Sequence, residues 1–349
     1  MDVVPPASPD RAAWRLPPSP LLRRCGQQVR SNVRRLGLWR PGDRVGWACS
    51  GGLDSLCGLR LLAWLRRSLG HEITVLHIDH GLQPDRAVAL DLIRAACANL
   101  ALPLHVAAVA VPTGGGWEGR ARTARYAALA ALAEQTHCAV VATAHHADDQ
   151  AETLLMRLAR GAGPSALAGI APQRGDGVVR PLLALLRSQL AALHGQLPYW
   201  TDPSNANLDV TRNRTRHCAL PALSAIQANV VGGLARSAQA FSLHEQGVDA
   251  WISVALAGAV QLTQAELSVP RDRIPPVAGA QALFLRWVAA QLGAPAPSVA
   301  AVLAFVELAS RRQAGRIAIA GLDVTQTRLQ WQFGRRAANA NGQSSSPQR

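Results

Sequence analysis

The segment Ser50-Gly51-Gly52-Leu53-Asp54-Ser55 lies between a short apolar run and a longer helical one, and nothing else in the 349 residues limits the possible folds as strongly. Two adjacent glycines let backbone amides approach an anion, and the helix that follows points its positive end at the same place. Ser50 and Ser55 can add hydroxyl donors. Asp54 repels phosphate unless it holds a Mg2+ that bridges the phosphate oxygens. The six residues also suit an ordinary strand-to-helix turn with Asp as the N-cap, and the strand before and helix after weigh against that.

Around this turn, strand-like stretches at 45–49, 73–78, 104–111 and 138–143 alternate with helical ones at 55–67, 85–100, 118–135 and 148–160. The alternation predicts an α/β fold, a parallel sheet flanked by helices, with its chemistry just after Cys49, Ile78 and Thr143. Residues 1–40 read as an N-terminal extension, disordered to about 20 and then a short Arg-rich amphipathic helix at 21–38. The catalytic domain is expected at 41–221, with a looser Gly- and Pro-rich stretch at 161–203. Helical patterns at 222–254, 276–291 and 299–310, with strands at 316–319 and 329–333, predict a smaller α+β C-terminal domain over 222–334. The tail, 335–349, is low in complexity and expected to be disordered.

The chain has 36 basic and 22 acidic residues, a net charge of +14, which favours a polyanionic partner such as nucleic acid. It contains no lysine, so every basic residue is Arg. Walker-type NTPases, protein kinases, pyridoxal enzymes and lysyl-adenylate ligases are disfavoured, because each depends on a lysine. The six cysteines form no C-x-x-C pair, which argues against a zinc ribbon, an iron–sulfur cluster or a disulfide framework and fits a reducing cytoplasm. The N-terminus lacks the apolar run of a signal peptide, and no segment reads as a membrane span.

A second candidate site runs from Thr143 to Thr153, again where a strand opens into a helix. His145, Asp149 and Glu152 are spaced i, i+4, i+7 and are expected on one helix face. Two carboxylates there can hold an ammonium group, while a histidine at the helix start can meet phosphate or a base. A zinc site lacks its usual second histidine on that face, and a merely solvated acidic helix start is the plainer alternative. Asp79 and His80, after the second strand, stand where ribose or base contacts occur, although Asp and Gly there also suit a simple turn. Arg122 and Arg125 share a helix side beside Tyr126, either as an RNA contact or as part of an exposed charged helix. Arg212, Arg214 and Arg216 alternate along one short stretch, which suits a triphosphate or an RNA backbone.

Taken together, SGGLDS, HIDHGL, EGRARTARY, HHADDQAETLLMRLARGAG, RPLL and DPSNANLDVTRNRTRH resemble, in order and spacing, the tRNA(Ile)-lysidine synthetases. These belong to the PP-loop ATP pyrophosphatase superfamily, with its adenine nucleotide α-hydrolase-like sheet. The match covers about 45–221, and RIAIAGLDVTQTRLQWQF resembles the family's first C-terminal domain more loosely. The resemblance implies that ATP and free L-lysine convert the wobble cytidine of a tRNA(Ile) with a CAU anticodon into lysidine through an adenylated base, releasing AMP and pyrophosphate. It implies ATP binding by Ser50, Gly51, Gly52, Leu53, Asp54, Ser55, Asp79 and His80, with Mg2+ on Asp54. Asp149 and Glu152 would bind lysine, Asp54, His145 and Arg212 would be catalytic, and Arg122, Arg125, Arg214 and Arg216 would contact tRNA. A monomer or homodimer is expected.

Cys49 and Gln83 depart from the family's usual residues, and the match to a single C-terminal domain resembles the shorter, two-domain members. Rival readings are a PP-loop tRNA thiolase, which needs paired cysteines, and an amidating synthetase, which would bring a glutaminase domain that nothing here resembles. A non-catalytic RNA-binding protein is the third, and Asp54, Asp149 and Glu152 stand against it.

Overall fold

The computed structural model describes residues 14–79, 86–109, 117–311 and 313–336. Val45, Gly46 and Trp47 are all buried in β1 (Arg44–Ala48), as expected of a central parallel strand covered on both faces. Gly46 lets the strands pack closely, since a Cβ there would fall 2.7 Å from Leu76 Cδ1 on the neighbouring strand and that side chain would have to shift. β2 (Glu72–Asp79), β3 (Leu104–Ala108), β4 (Val140–Ala142) and β5 (Val178–Val179) complete a sheet of order β3-β2-β1-β4-β5 in which every pairing is parallel. The crossovers are α2 (Leu53–Leu69), α3 (Arg86–Leu100) and α4 (Trp117–Gln135), and α5 (Ala147–Leu158) follows β4. The chain moves from β1 outward through β2 to β3, then returns to place β4 on the other side of β1. The strand order therefore reverses between β1 and β4, and the crevice at their carboxyl ends is the switch point where such sheets bind ligands.

The expected parallel sheet is present, with β5 added from the Gly- and Pro-rich stretch, where two residues are too short to display a period. Two short helices flank β5, α6 (Pro164–Leu167) before it and α7 (Arg187–His194) after it. α8 (Thr211–Arg214) runs through a widened π-helical turn, Thr215–Ala219, into α9 (Leu220–Ile226), and α10 (Val230–Ala255) comes next.

The N-terminal extension is less separate than its composition suggests. Trp14 and Leu16 are buried, and α1 (Pro20–Leu36) sets Leu22, Cys25, Val29 and Val33 into the same core as β1 and α2. The reason lies on α2, where the buried Arg60 donates to Trp14 O at 3.0 Å and to His194 O at 2.9 Å, tying the segment before α1 to the end of α7. Residues 1–13 and 337–349, most of the expected disordered ends, lie outside the described residues.

The chain divides into two compact units between Ser242 and Leu243, later than the expected 221/222 boundary. Ala238 packs with Leu154 and Leu167, which keeps the first turns of α10 with the first unit. The second unit holds β6 (Gln261–Leu262), β7 (Glu266–Pro270), α11 (Ala278–Gln291), α12 (Val299–Ser310), β8 (Gly315–Ile319), β9 (Leu322–Gln326) and β10 (Gln330–Arg335). Its antiparallel sheet has the order β6-β7-β10-β9-β8, and Leu267, Phe284, Phe305 and Phe333 form the centre of its core. No single described helix is long and apolar enough to cross a membrane.

His71, at the amino end of β2, is buried edge-on against Trp39, and neither ring nitrogen has a hydrogen-bond partner. Burial, helped by Arg66, lowers its pKa to about 4 from 6.5, so it is neutral in the fold. Above pH 6.5 both folded and unfolded chains leave it uncharged, and between 6.5 and 4 only the unfolded chain takes up the proton. Stability should therefore fall on acidification through that window, with His71 contributing roughly 1.4 kcal/mol per pH unit. In urea titrations at pH 7, 6 and 5, His71→Gln should flatten the decline. An unchanged slope would assign the acid sensitivity to other groups.

Candidate active site

Residues 50–55 are shaped mainly by their own contacts. Gly51 has φ +80°, and a Cβ there would lie 2.9 Å from Ala89 O, so glycine is required for both conformation and space. Its carbonyl accepts from Trp200 N at 2.9 Å, and Trp47 Nε1 donates to Ser55 O at 2.9 Å. The Ser55 hydroxyl, expected to be a phosphate donor, is buried, donates to Gly52 O at 2.9 Å and accepts from Ser50 N at 3.2 Å. It holds the loop in shape, so the groups of the turn free to meet an anion are the backbone amides at the start of α2 and the Ser50 hydroxyl.

Asp54, in the first turn of α2, faces β4 across the switch point. Its Oδ2 lies 3.4 Å from Arg187 Nε and 3.5 Å from His146 Nε2, while its Oδ1 is buried without a partner. His146 is the N-cap of α5, and its backbone N–H donates to Asp149 Oδ2 at 2.9 Å. Its ring, 2% exposed, lies among three carboxylates, with Nδ1 3.5 Å from Asp148 and Nε2 3.6 Å from Asp149 as well as near Asp54. Burial alone would favour the neutral ring, but Asp149, Asp148 and Asp54 outweigh it and raise the pKa to about 10, so His146 is an imidazolium.

His145 differs from its neighbour. It precedes the helix, so it does not share the face of Asp149 and Glu152 that its spacing suggested, and its Nδ1 is 2.8 Å from Thr143 Oγ1. Burial lowers its pKa to about 3 against the pull of Asp149, with Arg180, Arg212 and Arg122 adding to the fall, so it is neutral. The sequence reading thus picked the histidine that carries no charge. The signal for His146 was its N-cap place immediately before three acids.

Asp149 and Glu152 do share a face of α5, and each already holds a cationic side chain. Arg212 donates through Nε to Glu152 Oε2 at 2.6 Å and through Nη2 to Asp149 Oδ1 at 2.7 Å. Arg216 donates through Nε to Glu152 Oε1 at 2.5 Å, with Nη2 3.5 Å from Asp149 Oδ1. Burial acts against charge on Asp149, but His146, Arg212 and His145 overcome it and lower the carboxyl to about 2. Arg214 points away and is exposed, because in a helix positions 212 and 216 align while 214 lies on the far side. The three arginines therefore do not form one row, and Arg216 is placed on the carboxylates.

A second basic group surrounds Tyr126. Arg174, Arg122 and Arg125 lie 4.4, 5.0 and 5.6 Å from its ring centroid, and Arg122 Nη2 is 3.4 Å from its hydroxyl. Burial pulls down the pKa values of Arg125 and Arg180, a mark of guanidinium groups crowded into a half-dry region. Arg180, directly after β5, and Arg187, at the start of α7, were not singled out as site residues, since neither carries a period or a pairing visible along the chain. Asp79 ends β2 as expected, and His80 lies outside the described residues. All six cysteines are unpaired, and burial raises the Cys49 thiol to about 11, which makes it a poor nucleophile.

The model of the PP-loop domain family matches residues 24–223. The tRNA(Ile)-lysidine synthase of Thermobifida fusca is 41% identical over 229 residues, covering 64% of this chain and 70% of that protein. That of Streptomyces coelicolor is 39% identical over 254 residues, 71% of this chain and 72% of that protein, and that of Azoarcus sp. is 36% identical over 283 residues, 77% and 60%. Among solved structures, the U34-tRNA thiolase NcsA of Methanococcus maripaludis matches with a TM-score of 0.54 at 16% identity over 64% of this chain and 80% of that one, a likeness of fold. Together with the reversed strand order, the glycine loop and the carboxylate-rich start of α5, these matches place the chain in the PP-loop family, among the tRNA(Ile)-lysidine synthases.

Proposed function

We propose that the chain joins free L-lysine to C2 of the wobble cytidine in the CAU anticodon of tRNA(Ile), using ATP and releasing AMP and pyrophosphate. The observation that carries this reading is the pairing, across one crevice, of a phosphate loop with a carboxylate pair that already accepts cationic side chains. The cytosine C2 oxygen attacks the α-phosphorus, and the bond to the β-phosphate breaks with its electron pair leaving on pyrophosphate. The lysine ε-ammonium gives a proton to water, the free amine adds at C2, and the C2–O bond breaks with its electrons on AMP.

Asp54 fits a Mg2+ ligand because its Oδ1 is buried and unpartnered. Among the described residues no three His, Cys, Asp or Glu side chains converge as a metal cage, so the other ligands would be phosphate oxygens and water. Bound there, Mg2+ would offset negative charge on the phosphates. His146 keeps the carboxylates of Asp54 and Asp149 oriented, and Ser50 with the backbone amides of residues 51–55 and Asp79 holds the nucleotide. His145, with a pKa of about 3, is too weak a base to take a proton from an ammonium group and contributes a neutral hydrogen bond.

We assign the lysine ammonium chiefly to Asp149, the more exposed carboxylate, while Glu152 keeps Arg216. Arg212, released from Asp149, can then turn to the α-phosphate, and Arg keeps its proton, so its contribution is electrostatic. Arg122, Arg125 and Arg214 are assigned to tRNA phosphates. A monomer or homodimer is assigned, and six unpaired cysteines suit the cytoplasm. Incubation with ATP, lysine and a tRNA(Ile) bearing the CAU anticodon should release AMP only when lysine is present. AMP release indifferent to lysine would reject the reading.

A further inference from the structure

We propose that Arg187 is a further catalytic residue, the group that binds the departing pyrophosphate. The inference rests on the reading above for its reaction, but its geometry is independent of lysine and tRNA. Arg187 is the first residue of α7, and its backbone is fixed beside the switch point by two bonds to the start of α5. Its N–H donates to Asp148 Oδ2 at 2.7 Å, and nearby Ala147 N donates to Leu185 O at 2.8 Å. The side chain is 45% exposed and reaches Asp54, with Nε 3.4 Å from Oδ2.

That contact is a poor final partner for a guanidinium. It is single and long, half in solvent, and made to an oxygen that His146 also approaches, so it adds little to stability. A guanidinium has five N–H donors in a planar fork suited to phosphate oxygens, and the Asp54 contact engages one. The chain contains no lysine, so any cationic side chain that meets the phosphates is an arginine or a protonated histidine. Among the described residues, Arg187 is the guanidinium paired with the loop's aspartate. When the triphosphate enters, Arg187 passes from Asp54 to the β- and γ-phosphate oxygens. It holds the electron pair that leaves with pyrophosphate as the bond to the α-phosphorus breaks, and it keeps its own proton.

The test uses the full chain with inorganic pyrophosphate and Mg2+ as the probe, by calorimetry without tRNA or lysine. Arg187→Ala should weaken pyrophosphate binding by about tenfold or more, and Arg187→Lys should recover part of the loss. In turnover, KM for ATP should rise and kcat should fall, with KM for lysine and tRNA affinity held within about twofold. Arg187→Gln, closer in size, repeats the binding measurement should the alanine variant fold poorly. Pyrophosphate affinity unchanged in both neutral variants, or Mg2+ binding tightened in them, would overturn the proposal and leave Arg187 as an occupant of the cation's place. Loss of pyrophosphate binding in a protein that lacks lysine-dependent AMP release would uphold Arg187 and reject the lysidine reading instead.

Discussion

Asp54→Asn is expected to lower lysine-dependent AMP release by roughly 10³-fold or more, since several kcal/mol of charge stabilisation at the phosphates go with the carboxylate. The amide keeps the shape of the side chain but cannot serve as the anionic end of the contacts to Arg187 and His146, or of a Mg2+ site at Oδ1. Affinity for tRNA should stay within about twofold, because it arises from arginines distributed over the surface. Filter binding of labelled tRNA alongside the AMP assay separates the two effects. Adenylation persisting in the variant, or tRNA affinity falling in step with activity, would remove Asp54 from its assigned place.

The second large effect is expected at Glu152. Its two oxygens each hold a different arginine, and the side chain is 1% exposed. Glu152→Ala leaves Arg212 and Arg216 sharing Asp149 in a half-dry site. The expected destabilisation is about 2 to 3 kcal/mol, toward the low end for breaking a buried pair because both guanidinium groups remain about a third exposed. Urea midpoints at pH 7 should show it, and lysine-dependent AMP release should fall because Arg212 loses its placement. Glu152→Ala within about 0.5 kcal/mol of the parent would mean that the arginines find equivalent partners elsewhere.

The elements that form the crevice were readable because each repeats a period. Buried strands at 45–49 and 73–78 and the helices between them follow from apolar spacing, and the glycine loop follows from its place between two such runs. β5 and β6 were not readable, since two-residue strands leave no period, and β7 and β9, whose buried residues alternate, were passed over in the mixed C-terminal sequence. At the site, the sequence identified the right segments and paired the wrong groups within them. Periodicity placed Asp149 and Glu152 on one face, but it carries nothing about a helix 60 residues away, so Arg212 was read as facing the nucleotide and Arg216 as facing RNA when both face these acids. Likewise the charge states of His145 and His146 depend on Asp54 of α2, Arg122 of α4, Arg180 after β5 and Arg212 of α8, which adjacency in the chain does not reveal.

Between α8 and α9 the backbone widens into one turn of π-helix at Thr215–Ala219. Such a turn accommodates one residue more than the α-helical pitch, which shifts the phase of everything before it by about 100° relative to everything after. The segment therefore works like a vernier: Arg212 is set against α5 on one side of the offset, and the buried Leu220 is set on the other. Neither setting can be changed alone. The number of residues from Arg212 to Leu220 is thus as much a part of the site as their chemistry.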